Sequence, residues 1–158
     1  MRNSEFGIKA PKMSDRDLKM RTKAFALRIL KLVDALPKTT AGRALASQIV
    51  RSGTSVAANY RAACRAKSTA DFIAKMGIVE EEADETLFWL ELLEDSGLVA
   101  AAKVAAIKQE ANELIAITVA SIKTAGRNRA PNSAFRVPHS AFRRTSLIFS
   151  STGRSLPA

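Results

Sequence analysis

Ser68-Thr69-Ala70-Asp71-Phe72-Ile73-Ala74-Lys75-Met76-Gly77-Ile78-Val79-Glu80-Glu81-Glu82-Ala83-Asp84-Glu85-Thr86-Leu87-Phe88-Trp89-Leu90-Glu91-Leu92-Leu93-Glu94-Asp95 is the stretch that decides the fold. Within it Phe72, Met76, Val79, Ala83, Leu87, Leu90 and Leu93 recur at steps of three and four residues, the repeat of one helix face, where a half-buried strand would alternate. Ser68 followed by Asp71 resembles a capping box, the hydroxyl accepting from a free backbone N–H while the carboxylate reaches back. Gly97 offers the left-handed turn that commonly closes a helix. A helix over about residues 69–95 is predicted.

The flanking segments carry the same period. Leu18, Phe25, Ile29, Leu32 and Leu36 form one stripe of a helix that opens at Ser14 or Asp15 and halts before Pro37, whose ring disfavours the helical conformation of its predecessor. Thr39 or Thr40 can cap a second helix running to about Ala66, with Leu45, Ile49, Val56 and Tyr60 inward. Its remaining face is made of small residues, among them Gly53, which costs ~1 kcal/mol relative to Ala in a helix unless a close neighbour offsets it. A fourth helix, about Ala100 to Thr124, lines up Val104, Ile107, Ala111, Leu114 and Thr118 and is expected to end at Gly126. Short connections force sequential helices to lie side by side and antiparallel. The chain of 158 residues is therefore expected to be all-α, an antiparallel up-down-up-down four-helix bundle over residues 14–126.

The flanks differ in kind. Residues 1–13 read as a flexible extension, and residues 127–158 as a basic low-complexity tail in which Ser133-Ala134-Phe135-Arg136 recurs as Ser140-Ala141-Phe142-Arg143. Six Arg, no acid and three Pro leave that tail too little apolar surface to offset its ordering entropy, so disorder is expected. It serves either as a basic arm on nucleic acid or as a dispensable extension.

Net charge is +10 and very uneven. Residues 14–67 hold twelve Lys or Arg against Asp15, Asp17 and Asp34, whereas residues 68–126 hold four Lys against eleven acids, with Glu80, Glu81, Glu82, Asp84 and Glu85 clustered. Such a balance favours a polyanion or an acidic protein surface as partner. No apolar run approaches the ~20 residues of a membrane span, no signal sequence is evident, and the lone Cys64 has no internal disulfide partner. A soluble cytoplasmic protein is expected.

Catalysis finds little support. Bundle metal sites set Glu-x-x-His motifs on facing helices, and the single histidine, His139, lies in the tail, so neither a metal nor a cofactor is expected. The same lack removes Ser-His-Asp and Cys-His pairs, and leaves Cys64 a structural role. The isolated glycines form no phosphate-cradling loop. Glu81 and Glu85 share a helix face without the cleft that an acid and a base would need. No enzyme is expected.

An interaction surface remains. Arg43, Arg51, Arg61, Arg65 and Lys67 lie on one helix and its exit, and guanidinium groups bind phosphates bidentately, releasing counterions. Tyr60 is the one aromatic near them, which favours phosphate or shape recognition over base stacking. Alternatively, these arginines pair with the acidic cluster. Ile73, Trp89 and Leu92 on the third helix, and Ile115, Ile117, Val119 and Ile122 on the fourth, widen the apolar arcs beyond one core contact. Self-association would cover them, with the first two helices of one subunit against the last two of the next, unless the two halves pair only within the monomer.

Arg51-Ser52-Gly53-Thr54-Ser55-Val56-Ala57-Ala58-Asn59-Tyr60-Arg61-Ala62-Ala63, together with the run from Asp71 to Leu90, resembles the four-helix bundle protein family encoded within bacterial 23S rRNA intervening sequences. The likeness covers about residues 14–126. It implies a cytoplasmic, ring-shaped homopentamer with a basic surface and no known catalysis, similar to the accessory protein of diversity-generating retroelements that binds nucleic acid and reverse transcriptase. It further implies Asn59 as a hydrogen-bonding residue between helices, Arg51 as a ligand of phosphate or of a neighbouring carboxylate, and the acidic run at 80–85 facing a neighbouring subunit. Many relatives have Asn-Ile-Ala-Glu-Gly where this chain has Asn59-Tyr60-Arg61-Ala62-Ala63, so the role of that Glu does not transfer. Asn59, Tyr60, Glu81, Glu85 and Trp89 are thus the structural or interface candidates. The expected function is a non-enzymatic homo-oligomer binding RNA or DNA through phosphate contacts. The alternative is a protein–protein adaptor whose charges serve ring assembly.

Overall fold

A computed structural model of the chain describes residues 15–128. Four helices follow one another: α1 (Asp15–Asp34), α2 (Thr40–Ala63), α3 (Thr69–Asp95) and α4 (Ala101–Arg127). Each packs on its neighbours in sequence, and α1 meets α4 along a much lighter seam, which closes an up-down-up-down bundle. Residues 1–14 and the tail from residue 129 onward, His139 included, lie outside the described residues.

The helix ends follow local chemistry. Thr39 Oγ1 accepts from the Gly42 N–H at 3.0 Å and caps α2. Ser68 Oγ accepts from the Asp71 N–H at 3.1 Å, while Asp71 Oδ2 accepts from the N–H of Lys67 at 2.9 Å, so the carboxylate reaches back past the cap to the preceding residue. Gly97 has φ +70°, the left-handed conformation expected after α3. Three predicted ends shift. Beyond α1, Ala35 and Leu36 donate to Leu32 O and Val33 O, and beyond α2, Arg65 and Ala66 donate to Ala62 O and Ala63 O. These tighter three-residue bonds shorten both helices. Gly126 does not stop α4, which runs on to Arg127, with the Asn128 N–H donating to Thr124 O.

The predicted stripes meet in one core. Phe25, Ile29, Ile49, Val56, Met76, Val79, Leu90, Leu93, Val104 and Leu114 are all essentially inaccessible to solvent. Phe72 and Leu87, expected inward on α3, are only half-buried, and Thr86 occupies the core register beside them. The Thr86 hydroxyl donates to Ser52 Oγ at 2.9 Å and Ser52 Oγ in turn lies 3.1 Å from Gln48 O, so both buried hydroxyls of the α2–α3 contact are satisfied. At Gly53 α1 approaches α2 closely: a Cβ there would lie 2.7 Å from Ile29 Cγ1 and 3.0 Å from its Cγ2. The helical glycine admits the branched side chain, which is the offset expected from the small face of α2.

The excess apolar surface is not where the periodicity placed it. Trp89, Ile115, Ile117 and Ile122 pack against the core, and Ile73 and Val119 are half-buried, leaving only Leu92 of that group exposed. The large apolar side chains in solvent are instead Met20, Leu27 and Leu30 on α1 with Ile78, Phe88 and Leu92 on α3. Counting apolar residues along a helix does not show how far each neighbour wraps around it.

Candidate nucleic-acid interface

The solvent face of α2 carries residues 43, 47, 51, 54, 58 and 61, at successive steps of four, four, three, four and three, and residue 65 follows just beyond the helix end. They are Arg43, Ser47, Arg51, Thr54, Ala58, Arg61 and Arg65, so small or hydroxylated residues separate Arg43, Arg51 and Arg61, and Arg65 follows Arg61 directly. At 1.5 Å per residue the helical part of the stripe, from 43 to 61, is about 27 Å long. All four arginines are exposed. The buried set Ile49, Ser52, Gly53, Val56, Tyr60 and Ala63 on the opposite side of the helix fixes this orientation.

Arginines on one face behave differently. The Arg43 guanidinium donates to the backbone carbonyl of Lys38, which orients the group without neutralising it. Among the described residues Arg61 and Arg65 form no ion pair. Lys67 is exposed beyond the helix end and lines an open groove of about 420 Å³ with Cys64, Ser68, Phe72 and Asn128. This is also the end of the bundle at which α4 finishes with Arg127.

Arg51 is engaged within the protomer. Its Nη2 donates to Glu85 Oε1, which also accepts from Trp89 Nε1 at 2.9 Å, and its Nη1 lies 3.9 Å from Glu82 Oε2. A carboxylate partner for Arg51 is thus present within its own chain. Glu82 and Glu85 therefore face α2 of their own chain, and Glu81 and Asp84 are the fully exposed members of the acidic run. The Asn59 side-chain amide donates to Ser55 O of its own helix at 3.0 Å, which replaces the expected bond between helices. Tyr60 is buried in the core and offers no face for stacking a base. Trp89 is half-buried, its ring centroid 4.9 Å from that of exposed Phe88 with the two planes inclined at 63°.

Two carboxylate contacts were invisible in the sequence. Arg21 of α1 donates bidentately to Glu110 of α4, at 2.6 Å from Nε and 3.2 Å from Nη2, and also to Glu113. This fork joins the lightly packed α1–α4 seam and holds the Glu113 carboxyl below its ordinary range. The second is Glu82, whose Oε2 is buried and accepts no hydrogen bond within the described residues. Burial pushes its carboxyl up, with Arg51 only partly opposing the shift. A raised value in the fold means that the neutral acid is favoured there. The associated stability is full below the ordinary carboxylate range and is lost as pH rises through the raised value. Glu82→Gln is accordingly expected to raise the melting temperature at pH 7, with the gain shrinking toward pH 4, as followed by circular dichroism. A variant less stable than the parent at pH 7 would show that the Arg51 attraction outweighs desolvation.

The model of the 23S rRNA-intervening sequence proteins matches residues 15–120. The chain belongs to that family. A crystal structure of a protein of unknown function from the S23 ribosomal protein family of Bacteroides thetaiotaomicron is 35% identical, with a TM-score of 0.62 over 69% of this chain and 97% of the other. No curated protein matches. The matched residues take in all of α1, α2 and α3 and most of α4, so the arginine face of α2 lies wholly inside the family's domain. Among the described residues no helix is long and apolar enough to cross a membrane, and no cluster of His, Cys, Asp and Glu suits a metal ion.

Proposed function

We propose that this family member is a non-enzymatic, cytoplasmic homo-oligomer, pentameric by family likeness, that binds RNA or DNA through phosphate contacts along α2. The observation that carries the proposal is the unneutralised part of the arginine face: Arg43, Arg61 and Arg65 are exposed and meet no carboxylate within the described residues. Small residues between them let a phosphate backbone approach the helix closely, and guanidinium forks suit phosphate oxygens. With Tyr60 buried, contact with the backbone rather than stacking on bases supplies the affinity.

Titration of a labelled, structured rRNA fragment tests this reading. Affinity is expected to fall steeply between 50 and 200 mM salt, because each phosphate neutralised releases counterions. Absence of binding at 50 mM salt, or retention that ignores salt, overturns it. A protein–protein adaptor is the second reading, and the apolar side chains exposed on α1 and α3 favour it. Failure to bind RNA or DNA, with a defined protein held at stoichiometric ratio through those helices, would select the adaptor.

A further inference from the structure

The outer face of α3 combines acidic and apolar groups that no other helix of the bundle covers. Residues 70, 74, 77, 81, 84, 88, 91 and 95 follow alternating steps of four and three, one helix face, and all but Gly77 are exposed. Toward the start of α3 this face is Ala70, Ala74 and Gly77; farther along it is Glu81, Asp84, Phe88, Glu91 and Asp95, with Leu92 beside them. Phe88 is 52% and Leu92 39% exposed. Gly77, Glu80, Glu81, Asp84 and Ile115 of α4 line an open groove of about 390 Å³, in which a Cβ on Gly77 would meet nothing within 4 Å. Glu81, Asp84, Glu91 and Asp95 enter no ion pair within the described residues, in contrast to Glu82 and Glu85, which Arg51 holds. Lys75 and Lys108 are themselves bound to Asp71 and Glu94.

A segment of the opposite character starts where this face begins. α4 ends at Arg127, and Asn128 shares a groove with Ser68, Thr69 and Phe72 at the first turn of α3, so the chain leaves the bundle at that end. Beyond it Phe135, Phe142 and Phe149 recur every seven residues, Arg136, Arg143 and Arg144 follow the first two, and residues 129–158 contain no acid. We propose that residues 129–144 lie along the outer face of α3 of their own chain, with Phe135 in the Gly77–Ile115 groove, Phe142 against Phe88 and Leu92, and the arginines on Glu81, Asp84, Glu91 and Asp95. The lengths agree. Asn128 lies thirteen residues of α4 beyond Ile115, about 20 Å, and seven residues of extended chain span at most about 25 Å. From Gly77 to midway between Phe88 and Leu92 is again thirteen helical residues, about 20 Å, within the reach from Phe135 to Phe142. Tethering makes a weak contact sufficient: a short link gives an effective concentration on the order of 1 mM, so a dissociation constant of about 0.1 mM keeps the contact closed about ten times more often than open. The docked arginines also screen the acidic half of the bundle, which otherwise repels a polyanion approaching α2.

This contact does not depend on nucleic-acid binding, and its test is run without RNA. The full chain, with folding confirmed by circular dichroism, is digested briefly with trypsin at about 50 mM salt, where screening is weak, and the cuts after Arg136, Arg143 and Arg144 are timed by mass spectrometry. Cleavage follows the open fraction, so Asp84→Asn/Glu91→Gln, which leaves the cut sites untouched, and separately Phe135→Ala/Phe142→Ala are each expected to speed it about fivefold or more. Trp89, the single tryptophan, stands beside Phe88, and its emission is expected to shift to the red in the Phe135→Ala/Phe142→Ala chain, where α3 is unaltered. A tail cut equally fast in the parent and in both variants overturns the docking. Protection that fades on dilution from about 50 to about 1 µM assigns the tail to a second copy, and protection that arises only when RNA is added assigns it to nucleic acid; either result overturns docking on its own α3.

Discussion

Combined replacement of Arg43, Arg61 and Arg65 by Ala is expected to lower affinity for RNA or DNA by on the order of a hundredfold at 50 mM salt, and to flatten its salt dependence. Each phosphate contact contributes about 0.9 to the slope of log affinity against log salt on duplex DNA and about 0.7 on single strands, so three lost contacts should reduce the slope by roughly 2 to 3. The three side chains are exposed and no core contact depends on them, and Ala is at least as good a helix former as Arg. The melting temperature should accordingly hold, which assigns the loss to binding. Discrimination among sequences should also hold, because phosphate contacts position a nucleic acid without reading it. An unchanged slope would move the interface off α2. Arg51→Ala is the less informative change, since it also removes the partner of Glu85 and leaves buried Glu82 without its nearby cation.

Gly53→Val is expected to destabilise the bundle by about 3 kcal/mol, a fall of roughly 10 °C in melting temperature. A Cβ at position 53 already falls 2.7 Å from Ile29 Cγ1, and Ile29 is completely buried, so its side chain has nowhere to turn. Two further methyl groups then drive α1 away from α2 or force both residues off their rotamers. Gly77→Ala serves as the opposite case. That glycine is also mid-helix, yet nothing lies within 4 Å of a Cβ there, so the gain in helix propensity of up to ~1 kcal/mol is kept. Thermal unfolding of the two variants beside the parent should show shifts of opposite sign. A tolerated Val at 53 would mean that the α1–α2 packing is looser than this contact requires.

The period of three and four residues along α3, its Ser68 cap and the closing Gly97 were enough to define that helix, and the same period in the flanking segments with short connections gave the other three and their antiparallel order, because amphipathic spacing and terminal hydrogen bonds are local properties of a chain. The cationic character of α2 was equally plain. Which arginines are available was not: Arg51 and Arg61 are alike in type and face, and only the proximity of Glu85 across the α2–α3 contact ties up the first. Asn59 shows the reverse limit, since an amide at a helix face can bond either to its own turn or across to a neighbour, and here it bonds to Ser55 O of its own turn.

By itself the sequence determined the four helices, the Thr39 and Ser68 caps, most of each core stripe and the overall separation of charge, all set by intrinsic geometry within a few residues. Tertiary structure alone decided which apolar arcs are covered, so that Trp89 and Ile115 pack on the core while Leu27 and Phe88 stay in solvent. It likewise decided that Arg21 clamps Glu110 across the α1–α4 seam, a pair 89 residues apart in sequence. Burial and ion pairing depend on how far one helix wraps another in space, and that distance has no counterpart in the spacing of residues along either helix.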